Sequence, residues 1–146
     1  MYTYNPDHDL YPLIEKTEVD KSYAKAGTDS IWITTEINDP TGITIMAHIE
    51  APDQTKIDSI ELFDDGNHND EIAGDGLFAN CRPAGSSEES DYYVDLQVTR
   101  IDMDTVINRF NNVARTTTIG PVVYDGYTFG SSDTIFDPGE SLAILL

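Results

Sequence analysis

Five acidic side chains, Asp64, Asp65, Asp70, Glu71 and Asp75, fall within twelve residues of the stretch ELFDDGNHNDEIAGDGLFAN (61–80), and no lysine or arginine lies among them. Unit charges about 4 Å apart repel by roughly 1 kcal/mol in water and roughly 4 kcal/mol at the effective dielectric of a protein surface. Such a loop opposes its own closure unless a cation sits among the carboxylates. Hard oxygen donors at short spacing, with glycines for sharp bends and peptide carbonyls in reserve, are what Ca²⁺ takes at six- to eight-fold coordination. The expected ligands are Asp65, Asn67, Asp70 and Asp75, with Asp64 beside them, and the expected cofactor is a structural Ca²⁺. Asp65, Asn67 and Asn69 match the opening of an EF-hand, but Asp70 stands where that loop needs glycine and Gly76 where it needs a bidentate glutamate. The competing reading is two solvated turns at Asp65-Gly66 and Asp75-Gly76 with no metal. That reading explains the glycines and leaves the carboxylate density unexplained. His68, one imidazole among carboxylates, gives little support to a transition metal.

Catalytic signals are sparse. His8, His48 and His68 are the only histidines, and none belongs to a recognisable motif. Gly-x-Ser-x-Gly, a phosphate-cradling glycine loop and His-Glu-x-x-His are all absent from the sequence. The expectation is that the chain is not an enzyme. Carbohydrate binding is the stronger rival to a structural role, because small β-sandwiches present aromatic platforms to sugars, and Trp32, Tyr92, Tyr93, Tyr124 and Tyr127 are the candidates. Against it stands the usual place of a large aromatic in a sandwich, packed in or against the core.

The elements that must position these residues read as strands. Two-residue alternation puts Ile31, Ile33 and Ile37 on one face of SIWITTEI, and Ile43, Ile45, Ala47 and Ile49 on one face of ITIMAHI. Ile60 and Leu62 share a side of DSIELF, and Tyr92, Val94, Leu96 and Val98 share one of YYVDLQVT. In the second run the alternation sends His48 toward solvent. Turn chemistry separates the runs at NDPTG (38–42), APDQ (51–54), the acidic loop, RPAGSSEES (82–90) and RFNN (109–112). The pattern implies an all-β fold, an antiparallel β-sandwich of about seven strands, over residues 23–120. Residues 1–22 read as an N-terminal extension: a linker, an added strand or the tail of a preceding module. Residues 121–146 read as a linker and the first strand of a further domain, the alternative being that the terminal SLAILL pairs into the sheet.

Composition narrows the partners. The 146 residues carry 27 acidic against 8 basic side chains, a formal charge of −19, so nucleic acid and anionic lipid would be repelled. Hydrophobic residues make up 39%, enough for a core, which separates this chain from acidic disordered tails. The single cysteine, Cys81, excludes an intrachain disulfide and reads as a small buried hydrophobe. The N-terminal MYTYNPDHDLYP has the features of neither a secretory signal nor a transit peptide, and no apolar run approaches the roughly twenty residues of a membrane helix.

The loop, followed by RPAG, DYYVDLQVT and NNVARTTTIGPVV, resembles an immunoglobulin-like module of bacterial secreted and surface proteins, the choice-of-anchor X group. Asp64, Asp65, Gly66, Asp70, Ala73, Gly74, Asp75, Gly76 and Phe78 fall on its motif, and Asn69 stands where glycine is usual. The resemblance covers about residues 23–122. It implies an extracellular spacer or adhesion-type unit and identifies no ligand. The expectation is therefore a non-catalytic module of a larger secreted or cell-surface protein, with neighbouring domains, carbohydrate or a surface protein as partners; a carbohydrate-binding module or an accessory domain of a secreted hydrolase is the alternative. TIFDPGESLAILL resembles the opening of a second β-sandwich module, with Asp133, Asp137 and Glu140 as candidate ligands of another cation against the simpler reading of a Pro-Gly turn.

Overall fold

A computed structural model describes residues 14–85, 89–101, 106–120, 128–129 and 144–145. The described residues contain strands and no helix. The strands are β1 (Ile14–Val19), β2 (Tyr23–Lys25), β3 (Ser30–Ile37), β4 (Ile43–Glu50), β5 (Lys56–Leu62), β6 (Leu77–Pro83), β7 (Ser90–Arg100), β8 (Val106–Ile119), β9 (Thr128–Phe129) and β10 (Ile144–Leu145). One sheet has the order β1-β3-β6, a second the order β2-β8-β7-β4-β5, and β9 pairs with β10 in a two-stranded ribbon. All pairings are antiparallel except β2 on β8, the one parallel pair among the described residues.

Alternation explains which faces meet. The inward residues of β3 and β6 (Ile33, Ile37, Phe78) and those of β4 and β7 (Ile45, Ala47, Ile49, Val94, Leu96, Val98) form one hydrophobic core between the two sheets. The apolar faces read from the sequence are therefore the faces that pack. Thr35 shares the inward face of β3 and is buried, and its hydroxyl is satisfied by Thr17 Oγ1 (2.9 Å) and the Lys16 carbonyl (3.1 Å). Burying a hydroxyl without such partners would cost more than the packing returns.

Both open sides of the sandwich are closed by chain crossing from sheet to sheet. On one side, β1 pairs with β3 and the chain then switches to β2 on β8. Thr117 N–H donates to the Ser22 carbonyl (2.9 Å) and Thr116 Oγ1 to the Lys21 carbonyl (2.8 Å) at the switch. On the other side, Phe63 and Ala79 exchange two backbone hydrogen bonds, linking the end of β5 to β6.

Several elements differ from the sequence reading. Of the readings open for residues 1–22, residues 14–19 take that of an added strand, β1; their exposed charges, Glu15, Lys16 and Glu18, obscure the half-buried Ile14, Thr17 and Val19. The asparagines of RFNN make a bulge inside β8 rather than a turn. Val94 pairs with Ala114 and Leu96 with Phe110, so three residues of β8 stand opposite Asp95. Asn112 takes φ +53° there and donates its N–H to Asp95 Oδ1 (2.7 Å). Cys81 is half-buried rather than fully buried, because Arg82 occupies the buried position of β6 beside it. Within 121–146 only β9 and β10 are described; Tyr124, Tyr127, Asp133, Asp137 and Glu140, like His8, lie outside the described residues.

Candidate metal centre in the β5–β6 loop

The acidic loop is the crossing from the five-stranded to the three-stranded sheet, and its base is held at both ends. The Phe63–Ala79 bridge pins it on one side, and Ile37 N–H donates to the Gly76 carbonyl (2.9 Å) on the other. Between these points the backbone turns sharply. Gly66, Asn69, Glu71, Gly74 and Gly76 all have positive φ, from +62° to +95°. Asn69, in the place of a glycine, adopts φ +66°, a conformation asparagine tolerates better than most side chains. Glu71 at φ +62° has no such licence, and it sits at the centre of a three-residue turn in which Ile72 N–H donates to the Asp70 carbonyl (2.7 Å).

That turn drives Asp70 inward. Its carboxylate is fully buried, Oδ2 accepts the Gly66 N–H at 2.7 Å, and Oδ1 has no hydrogen-bond partner. Asp64, half-buried, closes the loop across its mouth: Oδ1 accepts from Gly74 N–H (2.6 Å) and Oδ2 from Gly76 N–H (3.0 Å). Asp65 and Asp75 are exposed and hold local turns, through Asn67 N–H (2.9 Å) and Leu77 N–H (3.0 Å) respectively. Asp65 also meets His68 Nδ1 at 3.0 Å, and this hydrogen bond first, then that from Asn67, holds its carboxyl below the usual carboxylate range. The His68 ring lies 4.6 Å from that of Phe63, which ties the rim to the base. Asn67, also exposed, uses its side-chain amide on the Asp65 carbonyl (3.0 Å).

Peptide N–H groups therefore offset part of the repulsion that the sequence raised, since charge-assisted bonds to carboxylates are among the stronger ones. The structure brings Asp64 and Asp70 into the body of the loop and leaves Asp65, Asn67 and Asp75 on its rim. Among the described residues, no three acidic, histidine or cysteine side chains converge as a metal-holding group. The chemistry that fits a cation is concentrated at Asp70 Oδ1, a desolvated anionic oxygen facing no donor. Each Asp64 oxygen keeps a second lone pair beyond the N–H it accepts. Sequence spacing could not reveal that, of the five acids, Asp70 alone is fully buried; the glycine positions occupied by Asn69 and Asp70 were the hints of a special backbone there.

The other candidates separate. Trp32 and Tyr93 are half-buried on outward faces of different sheets, and Tyr92 is buried in the core. Trp32, Tyr92 and Tyr93 thus do not share a platform. Tyr93 is covered by Arg115, whose guanidinium lies 5.9 Å from the ring centre. His48 is half-buried on the outer face of β4 and its Nδ1 lies 2.7 Å from Ser59 Oγ. Asp95 stands opposite His48 in register, but its hydrogen bond goes to Asn112 rather than to the imidazole. The Ser–His pair consequently lacks the orienting carboxylate of a hydrolytic triad.

Searches with the sequence matched no protein-family model and no curated protein.

Proposed function

We propose that this chain is a non-catalytic, immunoglobulin-like β-sandwich module of a larger secreted or cell-surface protein, a spacer or adhesion-type unit whose acidic loop is steadied by Ca²⁺. The immunoglobulin-like assignment is supported by an N-terminal segment that begins antiparallel on β3 and continues parallel on β8, with β4, β7 and β8 adjacent in the second sheet. The secreted, bacterial-type setting rests on the resemblance carried by the loop and by RPAG, DYYVDLQVT and NNVARTTTIGPVV.

The observation that carries the calcium reading is Asp70 Oδ1, a buried carboxylate oxygen with no hydrogen-bond partner in a loop of five acids. A buried anionic oxygen left alone is costly, and a divalent cation or an ordered water is what ordinarily meets it. Asp70 would anchor the ion, with Asp64 and the rim residues Asp65, Asn67 and Asp75 supplying further oxygens. The ion would neutralise the loop and secure the crossing between sheets, so metal binding would add to folding stability by linkage.

Thermal melts in EDTA, in millimolar CaCl₂ and in millimolar MgCl₂ test this. At Ca²⁺ a hundredfold above Kd, linkage contributes about 2.7 kcal/mol, equivalent to a rise of about 8 °C for a chain of this length. Asp70→Asn keeps an oxygen for the Gly66 N–H and removes the anionic ligand, so its melt should ignore Ca²⁺. Wild-type melts that coincide in EDTA and Ca²⁺ would leave Asp70 to a buried water and remove the metal.

A further inference from the structure

The outer face of the five-stranded sheet carries a groove of about 460 Å³ that crosses β8, β7, β4 and β5. Two irregularities build its walls. On one side the β8 bulge raises Asn111 and Asn112 above the sheet opposite Asp95. On the other, the register shift between Ile49 and Glu50 and the turn through Gln54, at φ +66°, lift the start of β5. His48, Asp95 and Gln97 lie along the floor. Four strands at about 4.8 Å spacing make this trough about 14 Å long, the reach of a short oligomer rather than a single small molecule.

His48 and Asp95 are engaged by Ser59 and Asn112, but the groove's other polar side chains are largely unspent. Among the described residues, the side chains of Glu50, Gln54, Lys56, Gln97, Arg109 and Asn111 have no hydrogen-bond or ion-pair partner. Arg82, Arg100, Arg115, Lys16 and Lys21 each lie beside an acid, whereas Lys56 and Arg109 in the groove, like Lys25 on β2 outside it, do not. With Glu50 and Asp95 opposing them, the groove is close to neutral on a chain of charge −19. Among the described residues, no phenylalanine, tyrosine or tryptophan lines it.

We propose that this groove binds a neutral oligosaccharide. Carboxamides, a carboxylate and a guanidinium each present two hydrogen-bonding atoms in a plane, the arrangement that engages a pair of vicinal hydroxyls, and a hydroxyl both donates and accepts. A locally neutral trough imposes no field that would reject an uncharged polyol, while the surrounding acidity disfavours polyanions. Polar side chains rather than stacked rings carry the contact, so single truncations act separately. The groove uses no residue of the acidic loop, and calcium binding there neither supports nor weakens it.

The test is amide chemical-shift titration of the intact chain with neutral cello-, xylo-, malto- and chito-oligosaccharides of five or six units, and with an oligogalacturonate as the anionic counterpart. A neutral series should shift the amides of β4, β7 and β8 around His48, Gln97 and Asn111. Gln97→Ala and Asn111→Ala should each weaken binding about fivefold, the equivalent of one hydrogen bond, with unchanged melting temperature. Retained affinity in both variants, shifts confined to other surfaces, binding only of the oligogalacturonate, or no saturation by any neutral series at 10 mM would each overturn the proposal.

Discussion

Gly76→Ala is the sharpest probe of the loop that joins the sheets. Gly76 has φ +95°, and a Cβ built there would collide with the Ile37 carbonyl oxygen and lie 3.5 Å from the Ile37 carbonyl carbon and 3.9 Å from Pro40 Cδ. The obstacle is backbone of β3 and its exit, which no rotamer change relieves. Placing alanine in the left-handed region costs about 1–2 kcal/mol. Moving the chain away from Ile37 also strains the Ile37 N–H to Gly76 carbonyl bond (2.9 Å) and the Gly76 N–H to Asp64 bond (3.0 Å), each worth about 1 kcal/mol or more. The sum is about 3–5 kcal/mol. Gly74 supplies the control: its φ is +81°, but nothing lies within 4 Å of the same added atom. Gly74→Ala should therefore show backbone strain alone, partly offset by the lower entropy of its unfolded chain, a net cost of about 1 kcal/mol or less. Urea unfolding in EDTA measures both without metal linkage, and at about 3 °C per kcal/mol for a chain of this length the thermal midpoint of Gly76→Ala should fall by about 10 °C or more. Equal losses in the two variants would refute the contact with Ile37 as the cause.

Other perturbations have defined outcomes. Arg82 is buried, its Nε lies 3.3 Å from Asp58 Oδ2 without making a hydrogen bond, and its guanidinium sits 5.9 Å from the Tyr92 ring centre. Asp58→Ala should cost about 1–3 kcal/mol in urea unfolding, below the loss for a fully buried pair because Asp58 is partly solvated; introducing Arg82→Met as well should recover most of it. In acid, the carboxyls of Asp39 and Asp91 are held below their usual range, first by hydrogen bonds from Arg100 and Arg115 respectively. A folded-state pKa below the unfolded value means that this stabilisation is full above about pH 4 and disappears as pH falls through the folded value. Melts from pH 7 to 2 should show it, and Asp91→Asn should flatten part of that acid limb. Raising NaCl from 0.05 to 0.5 M in EDTA should increase the melting temperature, because screening weakens repulsion across a chain of charge −19; a fall would contradict it.

Alternation is a local property, and what depends on it was legible in the order of residues. The inward faces of β3, β4 and β7 follow from isoleucines, valines and leucines two apart, whatever sheet those strands join. The acidic loop was likewise evident as a concentration of charge that needed an explanation. Partners and depth are nonlocal, and there the tertiary structure decided. That β1 belongs to one sheet and β2 to the other depends on β3 and β8, far along the chain. Asn111 and Asn112 carry turn chemistry, yet cross-strand pairing with Asp95 makes them a bulge. Arg82 looks like a surface residue until its strand is laid opposite Ile31, which turns it inward. Asp70 differs from its acidic neighbours only in burial, set by the three-residue turn beneath it, and the outer groove exists only once four separate strands are placed side by side. Residue type and spacing determine which side chains share a face of one strand; only the folded pairing determines what that face meets.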